Sequence, residues 1–275
     1  MSKPSPANLA PAKRALAPQQ TSESEDEPAQ SESLSLDALL GGKLRLRQPA
    51  AGYRAAIDPL LLAAAVPAKP EDRVLDAGTG VGAALLCLAA RISGCRLAGI
   101  EKDSDLAELA RENVAENGFA ARAEIVAGDI GSPPSALERG TFDCVMMNPP
   151  FLEPARARAP TDKTRAASMI EDGADLAQWI GFASAMLRDR GWLTIIHRAD
   201  RIDDLMAALN DGFGAIAVCP LWPAEGRAAK RVIVRARKNA ATPAMLLPGL
   251  VLHGPDGKFT AEANAILRGG QALEF

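Results

Sequence analysis

The chain has only two histidines, His197 and His253, and they are far apart in sequence. Its four cysteines, Cys87, Cys95, Cys144 and Cys219, are scattered and form no C-x-x-C pair. These absences argue against a zinc site or a disulfide framework, and reduced thiols are expected. No charged start is followed by an apolar run, and no apolar stretch approaches the ~18 to 20 residues that span a bilayer. A soluble, cytoplasmic protein with no metal and no membrane partner is therefore expected. Basic excess is missing too: the formal net charge is −3 and the pI near 5.6, so a polyanion would have to be held by a local patch. What the sequence does have is apolar material, 48% of 275 residues, enough for one large core. It carries no signal of oligomeric state.

Residues 1–33 are rich in Ser, Pro, Ala, Gln and Glu and contain the acidic cluster Glu23, Glu25, Asp26 and Glu27. With little to bury, this segment reads as a disordered tail, leaving 34–275 as the folded domain. From Arg73 onward, short apolar runs alternate with helical patterns, the signature of a parallel sheet covered by helices. Strands are expected at Val74–Asp76, Arg96–Ile100, Glu124–Ala127, Phe142–Met147, Leu193–His197, Ile216–Cys219 and Val232–Arg235. The intervening helices are Gly82–Arg91, Ser104–Asn117 (with Gly118 as its stop), Ala174–Leu187 and Ile202–Leu209. No room for a helix separates the last two strands, so they should form an antiparallel hairpin. The expected fold is a doubly wound α/β, mostly parallel seven-stranded sheet ending in that hairpin, Rossmann-like, which resembles the class I methyltransferase fold. An earlier helix starts at Asp58-Pro59 and stops at Val66-Pro67; Asp58 is either its cap or part of a cofactor pocket.

Val74-Leu75-Asp76-Ala77-Gly78-Thr79-Gly80-Val81-Gly82 runs from a strand through a glycine turn into a helix, where missing side chains let a ligand touch the backbone. Gly78, Gly80 and Ala83 also satisfy the dinucleotide spacing, so the glycines alone do not choose between NAD and S-adenosylmethionine. Three neighbours favour the latter. A carboxylate at Asp76 would repel a pyrophosphate but suits a sulfonium and an ammonium. Glu101, followed by Lys102, ends the second strand where an acid accepts ribose hydroxyls. Asp129-Ile130 ends the third, where an acid bonds an adenine amino group. Asp103 reads as the cap of the next helix.

The fourth strand delivers Asn148-Pro149-Pro150-Phe151 to the same edge. An exocyclic amine conjugated to a ring is a poor nucleophile until it is turned toward sp³ geometry. The Asn148 side-chain oxygen and the Pro149 carbonyl can each take one N–H bond and aim the lone pair at a methyl donor. Pro149 and Pro150 stiffen the backbone, and Phe151 offers a stacking face. Adenine N6, guanine N2 and glutamine amide nitrogen all remain open as targets.

From about Leu34 onward, the chain resembles the bacterial family of valine-tRNA adenine-N6 methyltransferases. The resemblance is carried by Asp37-Ala38-Leu39-Leu40-Gly41-Gly42-Lys43, Gln48-Pro49, Gly52-Tyr53-Arg54, the Asp58 helix, the glycine loop, Asn148 to Phe151, Thr194 to Arg198, Pro220 to Pro223 and Ala229 to Arg231. Family relatives often have Tyr where this chain has Phe151. The resemblance implies N6-methylation of an adenine in tRNA, with S-adenosylmethionine as cofactor and tRNA as partner. Alternatives are rRNA guanine-N2 or protein glutamine methylation, a non-catalytic S-adenosylmethionine or RNA-binding module, and an NAD-dependent oxidoreductase. Candidate RNA contacts are Arg156, Arg158, Lys163 and Arg165 after the tetrapeptide. A second basic cluster, Arg227, Lys230, Arg231, Arg235, Arg237 and Lys238, surrounds the hairpin. Tyr53 and Arg54 line a pocket for cofactor or base, or Tyr53 packs the N-terminal helix. His197 reads as structural.

Overall fold

The computed structural model describes residues 34–51, 55–150 and 175–275, so the expected N-terminal tail lies outside the described residues. The chain opens with an antiparallel hairpin, β1 (Leu34–Leu39) and β2 (Leu44–Pro49), followed by α1 (Asp58–Ala65). Alternating elements follow: β3 (Arg73–Ala77), α2 (Ala83–Arg91), β4 (Arg96–Glu101), α3 (Ser104–Glu116), β5 (Ala123–Ala127) and β6 (Phe142–Met147). Next come α4 (Leu176–Met186), β7 (Leu187–Arg198), α5 (Ile202–Leu209), β8 (Phe213–Ala224) and β9 (Arg231–Lys238). Two short strands, β10 (Met245–Leu246) and β11 (Leu250–His253), and a last helix, α6 (Ala261–Leu267), complete the described chain.

The main sheet runs β10-β8-β9-β7-β6-β3-β4-β5, with β11 also paired to β8. Strands β3 to β7 are mutually parallel, and β9 is antiparallel to both β7 and β8. All seven expected strands are present, the last two as the expected antiparallel pair, and β10 and β11 widen the sheet to nine among the described residues. β7 starts earlier than expected because its first residues still pair with β6, Leu187 opposite Phe142. Parallel strands with helices on both faces carry continuous apolar runs, and β6 shows this: Cys144 to Met147 are all buried.

One face of the sheet packs Leu61 of α1, Leu85 of α2, Ala110 of α3 and Ile266 of α6. The other packs Ile180 and Met186 of α4 with Leu205 and Leu209 of α5. Three of the helices, α3, α4 and α6, begin where a side chain caps them. Asp103 accepts N–H bonds from Asp105 and Leu106 at the start of α3, as expected, and Gly118 with φ +76° follows its end. Asp175 and Gln178 form a capping box on α4. Asp58 does not cap α1. Its carboxylate instead meets the Arg231 guanidinium at 3.0 Å, joining α1 to the start of β9, because Ile57 occupies the cap position in a helical conformation.

The N-terminal hairpin is held by two asparagines of α3. Asn113 Oδ1 accepts the Arg47 N–H at 2.8 Å, and its Nδ2 donates to the Arg47 carbonyl at 2.9 Å. Asn117 repeats both bonds with Arg45, at 3.0 and 2.7 Å. Four residues of helix rise ~6 Å and two residues of strand ~6.6 Å, so asparagines at i and i+4 can pair an exposed strand edge as a neighbouring strand would. Asn113 is fully buried and also donates to the Val81 carbonyl, so the same side chain reaches the glycine turn. Asn113→Ala should lower unfolding free energy by about 1–3 kcal/mol, since it orphans three backbone groups, of which the Val81 carbonyl is buried and the two of Arg47 are partly buried. It should also speed hydrogen exchange in β2 ahead of the sheet. Urea melts and exchange mass spectrometry check this, and unchanged β2 protection would refute the stapling role.

Candidate active site

The strand order places β3 between β4 on one side and β6 on the other, and the crevice at the carboxyl ends of such neighbours is where open α/β sheets take ligands. Asp76 and Ala77 lie opposite Gly99 and Ile100 of β4, and opposite Met146 and Met147 of β6. Past these pairs the three strands deliver the glycine turn, Glu101 and Asn148 side by side, neighbours spaced ~4.8 Å apart.

The turn is held from β4. Gly78 and Thr79 both donate their N–H to the Ile100 carbonyl, at 2.9 and 3.0 Å. The Gly80 N–H donates to one oxygen of Glu101 at 2.8 Å, and the Asp103 N–H to the other at 3.0 Å. Burial raises the Glu101 pKa, against the lowering effect of these two bonds. A carboxylate offers about four acceptor positions, and with Lys102 also interacting through its backbone at least one remains for a further donor such as a hydroxyl.

Asp76 is only 3% exposed, and its carboxylate accepts the Thr79 hydroxyl at 2.7 Å. It therefore braces the turn from behind. Burial pushes its pKa up to about 7, opposed by the Thr79 bond and assisted by the Glu101 charge. Asp129 is differently placed. It is solvent-accessible, accepts the Gly131 N–H at 2.8 Å and pairs with Lys102 at 3.2 Å, and the Gly131 bond holds its pKa below the ordinary value. Ile130 packs against the core face that carries α4 and α5. Three acids thus end three adjacent strands, an acceptor set suited to a cationic ligand bearing hydroxyls and ill suited to a pyrophosphate.

The glycines divide in their roles. Gly78 has φ +69°, and a Cβ there would lie 2.6 Å from the Trp179 indole, so the room its missing side chain leaves is taken by the protein rather than by a ligand. Gly80 has φ +54° and, among the described residues, nothing within 4 Å of the Cβ position. Gly82, φ +87°, turns the chain into α2. Trp179 was not anticipated from sequence. Its helix is amphipathic on its own evidence, and nothing local says that the first turn of α4 reaches back over β3.

Asn148 is half-buried, Pro149 buried and Pro150 half-buried. Phe151, Tyr53, Arg54, Arg156, Arg158, Lys163 and Arg165 lie outside the described residues. His197 follows Ile195, the partner of Met147, toward the same edge. It is 1% exposed, and neither ring nitrogen has a hydrogen-bond partner among the described residues. Burial, then the nearby Arg201, Arg231 and Arg198 charges, push its pKa down to about 4 despite a favourable Arg198 backbone interaction.

The basic cluster near the hairpin splits between the two edges of the sheet. Arg227 and Lys230 lie exposed in the β8–β9 turn at the carboxyl edge, and Arg231 pairs with Asp58. Because β9 runs the opposite way, its later residues move away from the site. Arg235 donates to the Ala65 carbonyl under the Phe275 ring, Arg237 to the Arg190 carbonyl, and Lys238 to the Ser184 and Leu187 carbonyls. These three cations secure the core rather than extending the expected patch. Among the described residues no group of three or more His, Cys, Asp or Glu is arranged to hold a metal ion, and all four cysteines are free and buried. No described helix is long and apolar enough to cross a membrane.

The methyltransferase small domain model matches residues 55–219, more than half of the chain and all of β3 to β7. The chain belongs to the methyltransferase small domain family. Curated relatives include two Porphyromonas gingivalis proteins named tRNA1(Val) (adenine(37)-N6)-methyltransferase, 36% identical over 164 residues and 39% over 133. Those matches cover 58% and 48% of this chain, and span 64% and 51% of the relatives' length, less than two thirds in either case. An Aeromonas hydrophila protein of the same name is 26% identical over 74% of this chain and 84% of its own. Among solved structures, a predicted O-methyltransferase from Agrobacterium tumefaciens superposes with a TM-score of 0.66 at 26% identity, covering 79% of this chain and 98% of that one. The fold is the class I methyltransferase fold.

Asp76 and His197 make opposite demands on stability. The folded state raises the Asp76 pKa, so stability tied to it is complete below pH ~4 and is lost as pH rises through about 7. The folded state lowers the His197 pKa, so its share is complete above pH ~6.5 and is lost as pH falls toward about 4. The swings are on the order of 4 kcal/mol for Asp76 and 3 kcal/mol for His197, and between pH 4 and 6.5 they oppose each other. Asp76→Asn should be more stable than wild type at pH 8 and more acid-sensitive between pH 6.5 and 4.5, whereas His197→Gln should lose less on acidification. Urea midpoints across pH 4.5–8 check this; pH profiles parallel to wild type would refute both assignments.

Proposed function

We propose that the chain is an S-adenosylmethionine-dependent N-methyltransferase that methylates the N6 nitrogen of an adenine in tRNA, valine tRNA next to the anticodon being the expected target. The observation that carries this reading is the β3–β6 register, which sets Asn148-Pro149 beside the clasped glycine turn. The names of the relatives, each given for tRNA1(Val) adenine(37), support the choice of substrate. The cofactor supplies a methyl group on a sulfonium, a donor strong enough that no base is needed before attack.

The residues present fit that cofactor. Glu101, with both oxygens oriented by backbone N–H groups, is placed to accept the ribose hydroxyls, and the open face of Gly80 admits close approach of a ligand to the backbone. Asp129 stands at the next strand end for the adenine amino group. Asp76, buried behind the turn, supplies negative potential beneath the cationic end once ionised. Asn148 Oδ1 and the Pro149 carbonyl accept the two N–H bonds of the substrate amine, turning its lone pair out of the ring for in-line attack. The proton leaves after the methyl has transferred, which suits a described site where the one nearby imidazole, His197, is neutral and buried.

Two outcomes are expected. With labelled methyl donor and separate pools of total tRNA, ribosomes and protein extract, label should enter tRNA as N6-methyladenosine. Label in guanosine, in glutamine or on an oxygen would replace this reading with the corresponding alternative. Asn148→Ala should lower kcat by roughly 100-fold or more while leaving S-adenosylhomocysteine affinity within about twofold, the signature of a lost amine orientation. Equal loss of both would make Asn148 a structural residue.

A further inference from the structure

A cavity of about 410 Å³ lies far from the glycine turn, lined by His253, Gly257, Lys258, Phe259, Asn264 and Arg268. Its walls come from the end of β11, the turn that follows, and α6 with its C-terminal cap, where Asn264 and the capping residue Arg268 stand four apart. β11 is parallel to β8, with His253 opposite Ala224, and β8 is antiparallel to β9, so β11 ends at the same sheet edge as β6 and β7. From β6 the order β7, β9, β8, β11 makes four strand spacings, about 19 Å at ~4.8 Å each.

We propose that this cavity is an RNA docking subsite that holds a backbone phosphate and a neighbouring base of the tRNA substrate, away from the methylated nucleotide. The inference rests on the tRNA reading above. Three features carry it. First, the cavity is flanked by two cations: Lys258, whose side chain is 84% exposed, and Arg268, exposed and without an ion pair among the described residues. Lys258 meets Asp256 only at 3.8 Å, and Asp256 is already engaged by the Lys258 backbone N–H at 3.0 Å, so an incoming phosphate competes with a weak contact. Second, one wall is aromatic. The His253 and Phe259 rings stack with centroids 4.8 Å apart, and His253 Nδ1 lies 2.9 Å from the Pro223 carbonyl, which fixes the imidazole in place. A paired aromatic face beside cations is how single-stranded nucleotides are held without reading their sequence. Third, both places lie on the shared edge at a separation of ~19 Å, a span that a few nucleotides of single-stranded RNA bridge, so one RNA can reach both. The chain as a whole is acidic, and a local basic pocket of this kind supplies the attraction that net charge does not.

The test uses the full chain and a fluorescently labelled, unmodified valine-tRNA transcript. The Lys258→Ala/Arg268→Ala double variant should raise Kd by about tenfold near 100 mM salt and flatten the log Kd against log salt slope by ~1 to 2, the loss of one or two phosphate contacts. KM for tRNA should rise in parallel, with kcat at saturating tRNA and S-adenosylhomocysteine affinity unchanged. Lys69→Ala/Arg96→Ala, which removes the same charge from exposed positions at the opposite edge, should leave Kd within twofold of wild type. Unchanged Kd and slope in the first variant, or an equal loss in the second, overturn the subsite. So does a first variant that binds tRNA normally and loses affinity only for anionic phosphatidylserine vesicles. If wild type methylates tRNA and the first variant does so with the same KM, only this inference falls. If wild type neither binds nor methylates tRNA, the substrate reading falls and takes this one with it.

Discussion

The end of β4 holds the turn at the end of β3, and the site is built around that clasp. A glycine turn left to itself samples many conformations, because its residues lack the Cβ that narrows backbone freedom. Here the Ile100 carbonyl takes two successive N–H groups and the Glu101 carboxylate takes a third, so the turn is ordered by its neighbour rather than by its own sequence. Asp76 and Thr79 brace it from below and Trp179 closes over Gly78 from α4. Among the described residues nothing covers the face of Gly80, between Glu101 on one side and the strand that delivers Asn148 on the other.

The same economy governs the accessory elements. An edge hairpin such as β1–β2 presents unpaired backbone groups, and two asparagines one helical turn apart satisfy them as a strand would. Because Asn113 also reaches the Val81 carbonyl, the hairpin, α3 and the turn are tied through one buried amide. Asp58 and Arg231 join α1 to β9 at the carboxyl edge in a comparable way. Both connections run between residues far apart in the chain, and both end close to the candidate site.

Charge is divided by the direction of the strands. β9 runs from the carboxyl edge to the opposite edge, so its basic residues change role along its length: Arg231 near the site is ion-paired, while Arg235, Arg237 and Lys238 are spent on carbonyls and aromatic faces. Cations that remain in solvent at the carboxyl edge, Lys230 and Lys258 among them, are the ones available to a polyanion. The buried acid and the buried imidazole at the centre, Asp76 and His197, pull stability in opposite directions with pH, which flattens their joint effect in the mildly acidic range.

Much of the fold was legible in the sequence because its signals are local. Apolar runs marked β3 to β9, Asp103 and Gly118 bracketed α3, and the short interval before β9 required an antiparallel return. The glycine spacing and Asn148-Pro149-Pro150 were legible for the same reason. Where those segments meet was a different matter. Asp58 read equally as a cap or a pocket residue; it is not a cap, and its carboxylate pairs with an arginine more than 170 residues further along the chain. Arg235 read as part of a nucleic-acid surface and is folded under Phe275. β1–β2, Trp179 over Gly78 and the cavity beside α6 had no local signature at all. The sequence alone determined the alternation of strand and helix and the kind of chemistry its motifs can support, since backbone preference and burial pattern act over a few residues. Only the tertiary structure decided which side chains became partners, because hydrogen bonds and ion pairs form by distance in space, and strand order and direction set those distances.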